Sequence, residues 1–270
     1  MELNMDYQCC EQLTQMRLTA MRSMYQRQEE LPATAELSFD ERFRMIVQAQ
    51  FDMRNDKRIA KGLKDACLRE PSASLENIDY DADRRDLRPI VAQLSSMHWV
   101  REGKGIIFTG PTGTGKTYLE CAFGHAGCVV GYKVRYYRVP RLVEMMAEAR
   151  SSGSYEKCIK ELEKPDILIL DDFGLNRYDH LFSLDLLEIM EERDTKNKSV
   201  IIGSQLPVRM WQDSFVNQTA ADGFMDRVVN QAYRIALTGR SRRVAMPLND
   251  INENFEGDST TEEKKESDSE

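Results

Sequence analysis

The sequence predicts an α/β fold: a parallel sheet with helices on both faces, preceded by a small helical region. Three observations lead there. An apolar run enters a Gly-rich segment that ends in Lys-Thr, IIFTGPTGTGKT at 106–117. Between 105 and 237, short β-rich runs alternate with helical patterns, as crossover units of a parallel sheet require. The first 70 residues contain Gly62 and Pro32 as their only glycine and proline, and their apolar side chains recur at helical spacing.

In chain order, 7–28 reads as a helix through Leu13, Met16, Leu18, Met21, Met24 and Tyr25, and 39–68 as a second. Ser38 or Asp40 can cap the second. Its polar side is basic, from Arg42 and Arg44 through Arg54, Lys57, Arg58, Lys61 and Lys64 to Arg69. Such a face is either plainly solvated or a surface for nucleic acid or a partner. Glu70-Pro71-Ser-Ala-Ser74 is a break. The stretch 87–100 reads as one helix, with His98 and Trp99 as packing residues. Helices follow at 117–128, 141–150, 155–163, 181–193 and 222–233. Strands are expected at 132–138, 167–170, 200–203 and 234–237, after the one entering the Gly-rich loop. The expected organisation is a helical region 1–70 for oligomerisation or DNA binding, an α/β domain 71–249 and an acidic tail 250–270. The chain after Leu237 is too short and polar for a full helical lid.

Of 270 residues, 41% are hydrophobic and 30% charged, ordinary for a soluble protein. The net charge is -8, but 250–270 hold nine carboxylates against Lys264 and Lys265. That tail accounts for -7, so the body is nearly neutral and its low pI does not exclude a nucleic-acid partner. The tail's composition predicts disorder. The six cysteines lack C-x-x-C spacing, which points to a reduced, cytoplasmic protein. No apolar run approaches membrane-spanning length, so no membrane role is expected.

The chemistry begins at Gly110-Pro111-Thr112-Gly113-Thr114-Gly115-Lys116-Thr117, a complete G-x-x-x-x-G-K-[ST] phosphate loop. Its glycines permit backbone angles that turn N–H groups towards phosphate oxygens. Lys116 brings positive charge to the β and γ phosphates, and Thr117 offers a hydroxyl to Mg²⁺ in the first turn of a helix. Asp171 and Asp172 end the next buried apolar run, ILILDD. In a phosphate-loop enzyme the first holds Mg²⁺ and the second activates the attacking water. Ser204 or Gln205, at the end of VIIGSQ, has the position of a γ-phosphate sensor. Arg227 on a helix can reach a neighbouring subunit's nucleotide, and otherwise pairs with Asp226 or Asp222 or faces solvent. Arg240-Ser-Arg-Arg243 puts three charges in four residues, suited to nucleotide or nucleic-acid phosphate. ATP and Mg²⁺ are the expected ligands.

GPTGTGKT, ILILDDFGL, SQLPVRMW, DRVVNQAYRIALTGRSRR and the upstream ASLENIDY…MHWV together resemble the IstB-like transposition helper ATPases, in the same order. The resemblance covers roughly residues 40–245 and implies a RecA-like AAA+ domain, related to the DnaC-type helicase loaders. It implies an ATPase that forms homo-oligomers with intersubunit ATP sites on double-stranded DNA, remodels it and presents it to a cognate transposase that stimulates hydrolysis. It also implies nucleotide contacts through 110–117 and Tyr118, catalytic roles for Lys116, Asp171, Asp172 and Ser204 or Gln205, a finger role for Arg227, and a phosphate contact for Arg243. Tyr118 stands where the family usually has His, and Arg240 where it commonly has an acidic residue. The expected DNA surface is the basic N-terminal helix with Lys133, Arg135, Arg138 and Arg141. A helicase loader is the alternative reading. A small nucleotide kinase would need an Arg-rich lid after the core, and the sequence has none.

Overall fold

The computed structural model describes residues 5–30, 34, 36–80, 84–239 and 241–242. The acidic tail, Arg240 and Arg243 lie outside the described residues. Three helices come first: α1 (Met5–Gln15), α2 (Thr19–Glu30) and α3 (Phe39–Ala66). The helix expected over 7–28 is broken because Arg17 takes a left-handed φ of 60°. Gln50 on α3 then accepts from the N–H groups of Ala20 and Met21 at the start of α2. Ser38 is the cap of α3: it forms a capping box with Glu41, each side chain bonding the other's backbone N–H. Cys67, at a left-handed φ of 52°, ends it.

The short α4 (Leu87–Leu94) and α5 (His98–Arg101) replace the single helix expected over 87–100. Met97 breaks it with a φ of 55°, and the Trp99 indole donates to the Leu94 carbonyl at 3.1 Å. Trp99 is the packing residue expected; His98 is exposed.

The sheet then alternates with helices in sequence: β1 (Gly105–Thr109), α6 (Lys116–Val130), β2 (Val134–Arg138), α7 (Val139–Ser151), α8 (Tyr155–Glu163), β3 (Ile167–Phe173), α9 (His180–Thr195), β4 (Ser199–Ser204), α10 (Gln218–Val229) and β5 (Ala232–Ala236). All strand pairs are parallel, in the order β2-β3-β4-β1-β5. This bears out the fold expectation. Alternate residues of each strand enter opposite cores. Ile106, Phe108, Ile167 and Ile169 face α6 and the α4–α5 segment; Ile107, Leu168, Leu170 and Ile202 face α7, α9 and α10. The core does not stop at residue 70, since Ala66, Leu68 and Ala73 share the first cluster with Phe123 and Val134. After β5 the described residues reach only to Arg242, and none of them is helical.

Helix α6 lies close against the sheet at Gly124, where a Cβ would stand 2.8 Å from Ile169 Cδ1 and 2.9 Å from Leu68 Cδ2. Gly124→Ala sets a helix-propensity gain of about 1 kcal/mol against overpacking of about 1–3 kcal/mol. The expected outcome is net destabilisation, read as a lower urea midpoint at unchanged slope.

Candidate functional site

The phosphate loop joins β1 to α6 at the carboxyl end of the sheet. Gly113 and Gly115 have φ of 87° and 86°, a region nearly closed to other residues. Space closes it further. A Cβ at Gly115 would lie 2.7 Å from Arg84 Nη2, and one at Gly113 would overlap the Ser241 hydroxyl. Lys116 Nζ donates to the carbonyls of Gly110 and Pro111 at 2.7 and 2.9 Å. The Thr114 hydroxyl turns inward to Pro111 at 2.9 Å.

Two residues of β3 stand opposite one of β4. Leu170 pairs with Ile202 and Phe173 with Ser204, leaving Asp171 and Asp172 facing Gly203 alone. This extra residue is a β-bulge. Asp172 takes a φ of 58°, which Asp tolerates better than most residues, and its N–H donates to Asp171 Oδ1 at 2.8 Å. The bulge turns the two carboxylates to different partners. Asp171, buried, accepts from the Thr117 hydroxyl at 2.9 Å and from the Tyr136 hydroxyl at 2.7 Å. Burial, then the charge of Asp171, push the Tyr136 phenol up, so it stays a donor. Asp172 accepts from Arg138 Nε and Nη2 at 2.9 and 2.7 Å.

A cavity of about 610 Å³ opens over the loop. Thr112, Gly113, Gly115, Lys116, Thr117, Asp172 and Gln205 line it. Gln205 Oε1 accepts from Thr112 Oγ1 at 2.7 Å. Ser204 does not face it: its buried hydroxyl donates to the Phe173 carbonyl at 2.7 Å and accepts from Leu206 N–H at 3.1 Å. Of the two sensor candidates, only Gln205 reaches the pocket. Its loop is anchored by Trp211, whose indole donates to the Leu206 carbonyl at 3.1 Å. Trp211 is fully buried in a ring cluster with Phe173, 4.6 Å between centroids. That accounts physically for SQLP followed by Trp.

Tyr118 lines the pocket, while its hydroxyl holds the backbone of Ser74 at 3.2 Å. Arg227 is elsewhere. Its guanidinium donates to the Gly223 carbonyl at 2.9 Å and to Glu191 at 2.6 Å, beside Gly103 and Gln231 at the amino end of the strands. Within one chain it takes the local ion-pair alternative, though with Glu191 rather than a neighbouring Asp. Arg243 is outside the described residues. Its neighbour Arg242 lines the pocket, pairs with Asp79 at 3.0 Å and donates its N–H to the Gly113 carbonyl at 2.8 Å.

Sequence reasoning missed Arg84, Tyr136 and Glu120. Arg84 is buried and bonds the Thr114 carbonyl. Glu120, one turn beyond Lys116, is fully buried, and neither carboxylate oxygen has a hydrogen-bond partner among the described residues. A Cβ at Gly203 would overlap that carboxylate. A Glu four residues after Lys116, on a helix face turned to the sheet, was the one signal available.

The parallel order, the loop and the paired carboxylates define a P-loop nucleotide-binding fold. The family model described as IstB-like ATP binding protein matches residues 11–248. The chain belongs to that family. It is 40% identical over 196 residues to a Pseudomonas fluorescens protein named for ATP binding in insertion sequence IS1162, covering 73% of this chain and 84% of the relative. It is 36% identical over 233 residues to y4pL of Sinorhizobium fredii, also named for ATP binding in an insertion sequence, covering 86% and 94%. Among solved structures, that of DnaI superposes with a TM-score of 0.56 at 21% identity, over 62% of this chain and 92% of that one. At that identity the likeness speaks for the fold alone. No helix among the described residues is long and apolar enough to cross a membrane.

Burial, then the charge of Asp171, raise the Glu120 carboxyl well above its usual 4.5. The folded chain therefore binds more protons than the unfolded one above that value. Stability contributed by this group is present below 4.5 and is lost as pH rises towards the folded value. Glu120→Gln should remove that loss. Urea unfolding from about pH 5 to about pH 8 should show the variant gaining on the wild type with rising pH.

Proposed function

We propose that the protein is an ATPase that assists an insertion-sequence transposase by assembling on double-stranded DNA, remodelling it and presenting it to that enzyme. The observation that carries the nucleotide chemistry is the 2.9 Å contact between Thr117 Oγ1 and Asp171 Oδ2 at the mouth of the phosphate loop. A hydroxyl and a carboxylate are hard oxygen donors, the set that suits Mg²⁺ beside substrate phosphates. Thr117 and Asp171 would hold that ion, which when bound neutralises charge on the phosphate oxygens. Tyr136 donates to the same oxygen, Asp171 Oδ2, and helps keep that carboxylate oriented.

Lys116 exchanges its loop carbonyls for the β and γ phosphates of ATP. Gln205 contacts the γ-phosphate or the attacking water, and Asp172 takes the proton from that water. In the free chain Asp172 is tied to Arg138, so its work requires that pair to loosen. Arg227 serves as the finger for the nucleotide of an adjacent protomer. Its place at the opposite end of the strands, away from its own pocket, supports action between chains. Exposed Leu175, which lines the pocket, suits coverage by that protomer. The relatives' names, which tie ATP binding to insertion sequences, support the transposase partner.

The basic face of α3 and Lys133 supply the DNA contact, to phosphates and therefore salt-dependent. Arg138 and Arg141 are engaged with Asp172 and Glu144, so Lys133 is the more available of the basic residues near β2.

Asp172→Asn should still assemble with ATP on duplex DNA, as seen by electron microscopy, yet hydrolyse about 10²–10⁴-fold more slowly. Normal turnover would move the base elsewhere. Arg227→Ala should lose about 10³-fold or more in turnover, but only at concentrations where the protein assembles. An equal fractional loss in dilute monomer would refute the intersubunit role.

A further inference from the structure

Residues 250–270 have no part in the chemistry above. They carry nine carboxylates against Lys264 and Lys265, and they lie beyond residue 248, where the family match ends. The folded part of the chain holds a surface of the opposite sign. A cleft of about 610 Å³ separates α3 from the edge strand β2 and the end of α8. Arg58, Lys61, Lys133, Arg135 and Lys164 line it, against the carboxylates of Asp65 and Glu161. Lys61, Lys133 and Lys164 are exposed, and none is paired with a carboxylate among the described residues.

The two arginines are fixed by neutral acceptors. Arg58 Nη2 donates to the Val129 carbonyl and to Asn55, both at 2.9 Å, and Arg135 Nη1 to the Asp65 carbonyl at 2.7 Å. These bonds hold the guanidinium groups in place without cancelling their charge. Tyr132 and Tyr137 add apolar wall. The cleft is thus a preformed concentration of positive charge on a body whose net charge is close to neutral.

The tail can reach it. Arg242 is fixed at the phosphate loop by its bond to Gly113. The strand before that loop, β1, lies three places from β2 in the sheet, about 14 Å at the usual strand spacing. Twenty residues of extended chain span about 65 Å, so 250–270 pass the cleft with slack. Tethering raises the local concentration of the tail to about the millimolar range, enough for a weak ionic contact to fill the site.

We propose that the acidic segment 250–270 docks in the α3–β2 cleft as an intramolecular polyanion, and that DNA must displace it to bind there. The displacement half rests on the nucleic-acid reading of the previous section; the docking half does not. The chain then carries its own competitor, which suppresses weak, non-specific contacts and yields to a longer polyanion.

The test uses the full chain with its tail charge reduced by Glu262→Gln, Glu263→Gln, Glu266→Gln and Asp268→Asn. A fluorescein-labelled peptide of residues 250–270 should bind this variant in a salt-sensitive way, and the wild type, whose cleft is filled, about tenfold more weakly. Adding Lys61→Glu and Lys133→Glu, both on the exposed wall, should abolish peptide binding. Peptide binding that ignores salt or those two lysines overturns docking. In a parallel anisotropy assay, a duplex of about 30 base pairs should bind the tail variant about tenfold more tightly than the wild type at about 50 mM salt, the gap closing near 300 mM. Equal duplex affinities overturn displacement. Duplex binding by neither chain, with peptide binding intact, refutes the nucleic-acid reading and leaves docking standing.

Discussion

One extra residue in β3 sets the geometry of the site. Without the bulge opposite Gly203, Asp171 and Asp172 would alternate across the sheet and one would enter the apolar core beside Leu170. With it, Asp171 meets Thr117 and Tyr136 while Asp172 swings out to Arg138. A single backbone irregularity thus gives two adjacent, chemically identical side chains two different sets of partners. The positive φ of Asp172 stores about 1–3 kcal/mol, and it is held by the ladder on either side and by the ring cluster under Phe173.

The rest of the molecule is arranged to keep that corner rigid. Trp211 fixes the loop that presents Gln205, and the linker between α3 and α4 is clamped to α6 through Tyr118. On the far side, Arg193 is buried among the carbonyls of Leu162, Pro165 and Ser199, joining α8 to the starts of β3 and β4. Its burial lowers its pKa to about 9, so it stays cationic at neutral pH and stays bonded. Among the described residues Glu120 stands apart in leaving both oxygens of a buried carboxyl without a hydrogen-bond partner. Its burial, next to Asp171 and Lys116, raises its pKa and makes the phosphate-loop helix sensitive to pH.

Charge is segregated on a larger scale as well. The nucleotide pocket, the α3–β2 cleft and the acidic tail are three separate concentrations of charge on a chain whose sum, -8, describes none of them. Arg138 stands at the end of β2, between the first two. Its ion pair with Asp172 is the one described contact that links the proposed DNA-facing edge to the carboxylate proposed to activate water.

By itself the sequence determined the parallel α/β fold, the phosphate loop and the Asp171–Asp172 pair. Those features are written in local periodicity and in residues that few other chemistries need. It also offered a cap for α3 at Ser38 or Asp40, and the structure selects Ser38 through its capping box with Glu41. What it could not give were contacts between segments far apart in the chain. Ser204 and Gln205 are equivalent in the sequence; only the packing of β4 against Phe173 turns one inward and leaves the other at the pocket. Leu87–Val100 has helical periodicity throughout, and the tertiary position of Trp99 breaks it at Met97. Arg227 looked like part of a site, and the fold places it at the other end of the strands. Side-chain direction and long-range hydrogen bonds are properties of the folded chain, so the placement of these side chains was decided only there.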